Sequence, residues 1–203
     1  MSCAINCIMG YLLGLGDRHT QNILIDLESA ELIHIDLGVA FDQGKLLKTP
    51  ECVPFRLTRD IVDGFGLNSV DGTFKRMCIE VLRLMRENQH IFYTVLRVFV
   101  HDPLYKWSLD PDKMHRLQLE EEDDQPKEDQ NWMANEEQQD RQSSTSNNAQ
   151  APRALHILRQ KFQGNDNTQM NVLSVEGQAE RLIWDARDPQ NLCQMFHGWC
   201  SWM

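Results

Sequence analysis

The sequence holds no run of about 18 uncharged apolar residues, so nothing in it reads as a membrane span. Nor does it hold an excess of base: 20 Lys and Arg stand against 30 Asp and Glu, a net charge of −10. Such a chain repels a phosphate backbone, which excludes general nucleic-acid binding. The six cysteines, Cys3, Cys7, Cys52, Cys78, Cys193 and Cys200, form no Cys-x-x-Cys pair and no Cys/His spacing suited to zinc. They read as reduced intracellular thiols. Residues Met1 to Gly16 carry no charge at all, yet they lack the basic start and small-x-small cleavage site of a signal peptide. Their apolar residues Ile5, Ile8, Met9, Leu12 and Leu13 keep the spacing of one helix face, which predicts a buried helix over about 3–13.

Charge is concentrated in one place. Residues 120–151 hold ten acids and two bases, with only Trp132 and Met133 large and apolar. That stretch buries too little surface to offset chain entropy, so 119–152 is expected to be a disordered acidic linker. Before it, two β-rich runs, Ile23 to Leu27 and Leu32 to Ile35, flank the polar turn Glu28 to Glu31 and predict a hairpin. A long irregular loop follows, then two helical patterns: Phe74, Met77, Cys78, Val81, Leu82 and Met85, and Ile91, Val95, Leu96, Phe99 and Val100. After the linker come a helix near 154–162, a polar loop, and a helical unit over 175–196 broken at Asp188-Pro189. The class is mainly α with a small β-hairpin, that is, α+β.

The chemistry gathers around that hairpin. With the turn centred on Ser29, Asn22 and Asp36 oppose each other at its open end, about 5 Å apart at Cβ. One amide oxygen and one carboxylate there suit Mg²⁺, which accepts few protein oxygens when phosphates and water complete its shell. Asp17 lies five residues before Asn22, near such a cation without needing to ligate it. That is the place for a base, with His19 able to hydrogen-bond the transferring phosphoryl group or the attacking oxygen, and Arg18 expected to pair with a carboxylate. Each residue also has a plain alternative: a salt-bridged turn, a satisfied loop histidine, a turn former, a strand-ending cap. It is the coincidence of Asp-x-His-x-x-Asn, a hairpin of suitable length and Asp-Leu-Gly at its far end that favours chemistry.

Gly14-Leu-Gly-Asp17-Arg18-His19 to Asn22, with His34-Ile-Asp36-Leu37-Gly38, resembles the catalytic and metal-binding loops of the phosphatidylinositol 3-kinase-related protein kinases. Thr49 to Gly64 is similar to the same family's activation segment, and residues 172–203 resemble its FATC segment. The resemblance implies a kinase C-lobe over 1–118, the linker over 119–152, a helix and loop over 153–170 and FATC over 171–203. It implies Asp17 and His19 as catalytic residues, and Asn22 and Asp36 as ligands of ATP-bound Mg²⁺ or Mn²⁺. It further implies protein substrates in which Gln follows Ser or Thr, a nuclear role in the response to DNA breaks reached through a break-sensor complex, and a homodimeric parent. No contact of this segment with nucleic acid or membrane is expected.

The activation segment then includes Asp36, Leu37, Gly38, Lys45, Lys48, Pro54, Arg56 and Thr58. Lys45 and Lys48 are placed to meet acidic substrate residues or are merely solvated. Pro54 fixes the chain before Phe55, and Thr58 is placed to cap the helix starting at Arg59. Thr168, before Gln169, is a candidate autophosphorylation site. Trp199 and Trp202 are expected to dock and cover themselves, or else to form a partner surface. No lysine precedes Lys45 and no Gly-rich turn follows a strand before Asp17, so the phosphate cradle of a kinase is not in this stretch. The 203 residues alone are accordingly expected to be incompetent. The other readings are an inert interaction segment and a phosphoinositide kinase C-lobe, though the latter would lack FATC.

Overall fold

The structure is a computed structural model that describes residues 1–100, 147–165 and 172–199. Its elements are α1 (Ser2–Leu13), β1 (Ile23–Ile25), β2 (Leu32–His34), α2 (Arg59–Asp63), α3 (Thr73–Glu87), α4 (Gln89–Val100), α5 (Asn147–Gln163), α6 (Val175–Arg187) and α7 (Pro189–Leu192). This is the expected α+β class: helices with one two-stranded antiparallel sheet. Thr168, Trp202 and most of the acidic stretch lie outside the described residues.

The uncharged first helix is an interior wall. Cys3, Ala4, Cys7, Ile8, Tyr11 and Leu12 of α1 are buried, and α1 packs on α3, which packs in turn on α6. The expected face is rotated: Ile8 and Leu12 are inside, but Ile5 is exposed and the small Cys3, Ala4 and Cys7 take the seam. Small residues there let the two helices approach closely. From α3 the seam takes Phe74, Cys78, Leu82 and Met85, spaced as a helix stripe requires. At the end of α1, Gly14 stands at φ 62°, and Leu15 N–H donates to Gly10 O at 2.8 Å. Glycine is required there twice over, because a Cβ would also strike the Asp42 backbone that crosses it.

The second helical pattern needs correction. In α4 the core side is Phe92, Tyr93 and Leu96, while Ile91 and Val95 are exposed. Apolar residues occupy both faces of α4, so periodicity alone chose the wrong one; Phe99 and Val100 side chains lie outside the described residues. Phe92 meets Phe162 of α5 with ring centroids 6.4 Å apart. That helix starts at Asn147, inside the segment expected to be disordered.

Past it, Ser174 caps α6 by accepting from Gly177 N–H at 3.0 Å. Asp188 breaks the unit as expected: its carboxylate accepts from Gln190 N–H at 3.0 Å, with Pro189 at the first helical position of α7. Trp199 is buried, and the Arg56 guanidinium sits over its ring at 5.4 Å from the centroid.

The hairpin exists, but in a different register. Its pairs are Ile23 with His34, Leu24 with Ile33 and Ile25 with Leu32. Asp26 N–H donates to Glu31 O at 2.9 Å, so the loop is Leu27 to Ala30, with Ala30 at φ 56°. The Asp26 carboxylate sets this loop by accepting from Glu28 and Ser29 N–H. Consequently Asn22 opposes Ile35, whose N–H donates to Asn22 O at 3.0 Å, and Asp36 lies one residue beyond.

Candidate functional site

Three of the four expected residues meet directly. The Asn22 amide Nδ2 donates to Asp17 O at 2.8 Å and lies 3.4 Å from Asp17 Oδ2. Turned this way, the amide keeps its oxygen available as a hard donor. The His19 ring accepts Gln21 N–H on Nδ1 at 3.2 Å, which leaves the proton on Nε2. That Nε2 is buried, has no hydrogen-bond partner among the described residues, and lies 3.8 Å from Asp17 Oδ1. His19 is only 6% exposed, so an orphaned donor there is costly unless something else accepts from it. Asp17 holds φ 58°, which aims its carboxylate at this gap.

Asp36 joins the site through the backbone, one residue beyond the position opposite Asn22, so the predicted direct cross-strand pair is not formed. It sits at φ 51°, and its Oδ1 accepts from Gly38 N–H at 3.1 Å. Arg18 is the staple. Its guanidinium, 3% exposed, donates to Gly16 O at 2.7 Å, to Ile35 O at 2.8 Å and to Asp36 O. Arg18 therefore binds three carbonyls and not the carboxylate expected of it, fastening the catalytic loop to the metal loop. Burial pulls the guanidinium below its ordinary pKa, against the nearby Asp17, Glu51 and Asp36 charges. Burial, and then Arg18, also push His34 down to about 4, so that ring is neutral. Asn22 and Asp36 are oxygen ligands suited to Mg²⁺. Among the described residues no group of three or more His, Cys, Asp and Glu side chains could hold a metal alone. A cation at Asn22 and Asp36 would need phosphate or water oxygens as well.

Along the activation segment, Leu37 and Lys48 are exposed, and Lys45 is mostly engaged with Asp42, Nζ to Oδ1 3.3 Å. Pro54 is half-buried and leads into the buried Phe55, Arg56 and Leu57. Arg56 stacks its guanidinium on Trp199 near the carboxyl end. Thr58 begins α2 with extended backbone, but its hydroxyl bonds the Asp60 carboxylate and caps no N–H.

Glu51 borders the site although it is not among the expected residues. Its Oε1 accepts Asp17 N–H at 2.7 Å, and burial raises its pKa to about 7. Lys161, 5% exposed on α5, is likewise outside the expected set; its Nζ donates to Tyr11 O and to Asp42 Oδ2, both at 2.8 Å. Gln178 of α6 is a third such residue: Nε2 donates to Lys161 O at 2.9 Å and to Tyr11 Oη at 3.2 Å, while Oε1 accepts from Arg86 Nη2 at 2.8 Å. A cavity of about 300 Å³ separates the activation segment from α6, lined in part by Tyr11, Glu51, Pro54, Lys161 and Arg181. The signal for these residues was faint, since each reaches a partner far away in sequence.

Residues 1–109 match the profile of the phosphatidylinositol 3- and 4-kinase family, and residues 172–203 match the FATC domain. The chain is 48% identical over 202 residues to serine/threonine-protein kinase ATM of Arabidopsis thaliana, covering 100% of this chain and 5% of that protein. It is 45% identical over 198 residues to serine/threonine-protein kinase TEL1 of Saccharomyces cerevisiae, covering 97% of this chain and 7% of that one. Among solved structures, the FAT and kinase domain of CtTel1 superposes with a TM-score of 0.77 at 36% identity, covering 99% of this chain and 12% of that one.

Proposed function

The chain belongs to the phosphatidylinositol 3- and 4-kinase family and carries a FATC domain, and on that premise we propose that its residues 1–100 supply the base, phosphoryl-binding and metal-holding side of an ATM/Tel1-like serine/threonine protein kinase. Asp17 accepts the proton of the attacking Ser or Thr hydroxyl as its oxygen bonds to the γ-phosphorus of ATP. The bond to the β,γ-bridging oxygen breaks and ADP leaves. His19 Nε2–H donates to an oxygen of the transferring group. Asn22 and Asp36 would hold Mg²⁺, which when bound would supply positive charge to neutralise the phosphates. Arg18 keeps the two loops in one frame. The observation that carries this reading is the buried His19 Nε2–H, without an acceptor among the described residues and beside the Asp17 carboxylate. A phosphoryl oxygen supplies the missing acceptor.

The preference for Gln after the phosphorylated residue, nuclear signalling at DNA breaks, the break-sensor partner and the dimeric parent belong to the same proposal, and rest on likeness to the ATM and TEL1 kinases. In an ATP-binding polypeptide carrying this segment, Asp17→Ala is expected to lower kcat on a Ser-Gln peptide by about 10²–10⁴-fold with the KM for ATP nearly unchanged. Near-normal turnover would remove Asp17 as the base. The 203-residue chain alone is expected to give no turnover, and activity of pure chain that disappears on Asp36→Ala would contradict that.

A further inference from the structure

Asp17 stands in the left-handed region, a conformation that a residue with a side chain keeps only when its surroundings hold it there. Two bonds clasp its main chain from opposite sides. The Asn22 amide takes its carbonyl at 2.8 Å, and the Glu51 carboxylate takes its N–H at 2.7 Å. The Glu51 carboxylate is itself lodged in a slot. A Cβ placed on Gly16, in the catalytic loop, or on Gly44, in the activation segment, would collide with Oε2. Glu51 N–H also donates to Gly44 O at 3.1 Å. Two glycines on different loops thus leave room for one carboxylate, and that carboxylate reaches across to the base.

We propose that Glu51 is a positioning residue for phosphoryl transfer: through the Asp17 N–H it fixes the direction of the base, so that the activation segment must be in place before the base is aimed. This rests on the assignment of Asp17 above. Misplacement of a catalytic group by an ångström costs about 10²-fold in rate, and that is the expected loss in kcat for Glu51→Ala, with the KM for ATP within about two-fold. Glu51→Gln keeps a carbonyl acceptor of the same reach and is expected to recover most of the rate. Gly44→Ala crowds the Glu51 carboxylate while leaving Asp17 and Glu51 themselves unsubstituted, and is expected to lower kcat in the same direction.

The experiment measures kcat and KM for these variants, with Asp17→Ala as reference, in an ATP-binding polypeptide carrying this segment. Beside it, hydrogen exchange of the Asp17 amide is followed in the 203-residue chain, where Glu51→Ala is expected to speed exchange at least tenfold relative to α3 amides. Loss of rate with recovery in Glu51→Gln supports the inference. A Glu51→Ala enzyme within two-fold of wild-type kcat, a loss confined to the KM for ATP, or unchanged Asp17 exchange overturns it. If Asp17→Ala itself keeps full turnover, the assignment of the base has failed, and the amide exchange still decides whether the clasp exists.

Discussion

Around the hairpin the usual arrangement of side chains is inverted relative to the helices. Leu24, Ile25, Leu27 and Ile33 stand exposed while Arg18, His19, Asn22 and Gln43 are buried. In α1, α3 and α6 the order is normal, and Ile8, Cys78, Leu82 and Ala179 are inside. One region is organised by polar groups around backbone carbonyls and N–H groups, the other by apolar area removed from water. The lesson is that stability and chemistry are separately housed. Buried polar groups define a unique loop geometry without supplying much net stability.

That division should break first under core truncation. Leu82→Ala is expected to destabilise the chain by about 2–5 kcal/mol in urea titration, whereas Ile25→Ala should change it by no more than about 0.5 kcal/mol. Equal effects would mean the hairpin shares the core. Next, Lys161→Ala leaves the Asp42 carboxylate with the exposed Lys45 alone and Tyr11 O without its Lys161 donor, and is expected to cost about 3 kcal/mol, because it breaks a largely buried pair. Arg86→Ala, which deprives Leu173 O and Gln178 Oε1 of their donor, should cost about 1–3 kcal/mol by the same measurement.

The smallest effect is in pH. The Glu51 carboxyl titrates at about 7 in the fold against an ordinary 4.5, so the fold binds the extra proton between those values. Its contribution therefore weakens as pH rises through that window, and Glu51→Gln should gain stability relative to wild type from pH 4.5 to 7. His34, pushed down to about 4, acts in the opposite sense, since the unfolded ring binds the proton first. Its contribution is lost as pH falls from 6.5, and a variant His34→Gln should flatten that limb of the thermal-melting profile.

Much of this was legible because it is local. The α3 stripe, the Asp188-Pro189 break and the hairpin announce themselves within a few residues, as does the contact of Asp17, His19 and Asn22 over a span of five. Register was not, since the choice between two loop lengths turned on Asp26 accepting from Glu28 and Ser29 N–H and on Ala30 tolerating a left-handed φ. The α4 face was ambiguous in principle, being apolar on both sides. Glu51 and Lys161 were invisible for a different reason: their partners lie 34 and 119 residues away, and no periodicity encodes a contact at that separation.

The Gln178 side chain, 1% exposed, gives its amide to α1 and α5 and takes a bond from α3. A polypeptide stopped before residue 172 would not simply lose an appendage. It would present to water the side of α3 that α6 covers, with the Arg86 guanidinium left idle there. Quality-control proteases should therefore clear such a product, and a premature stop codon here would act as an abundance defect as much as a loss of chemistry.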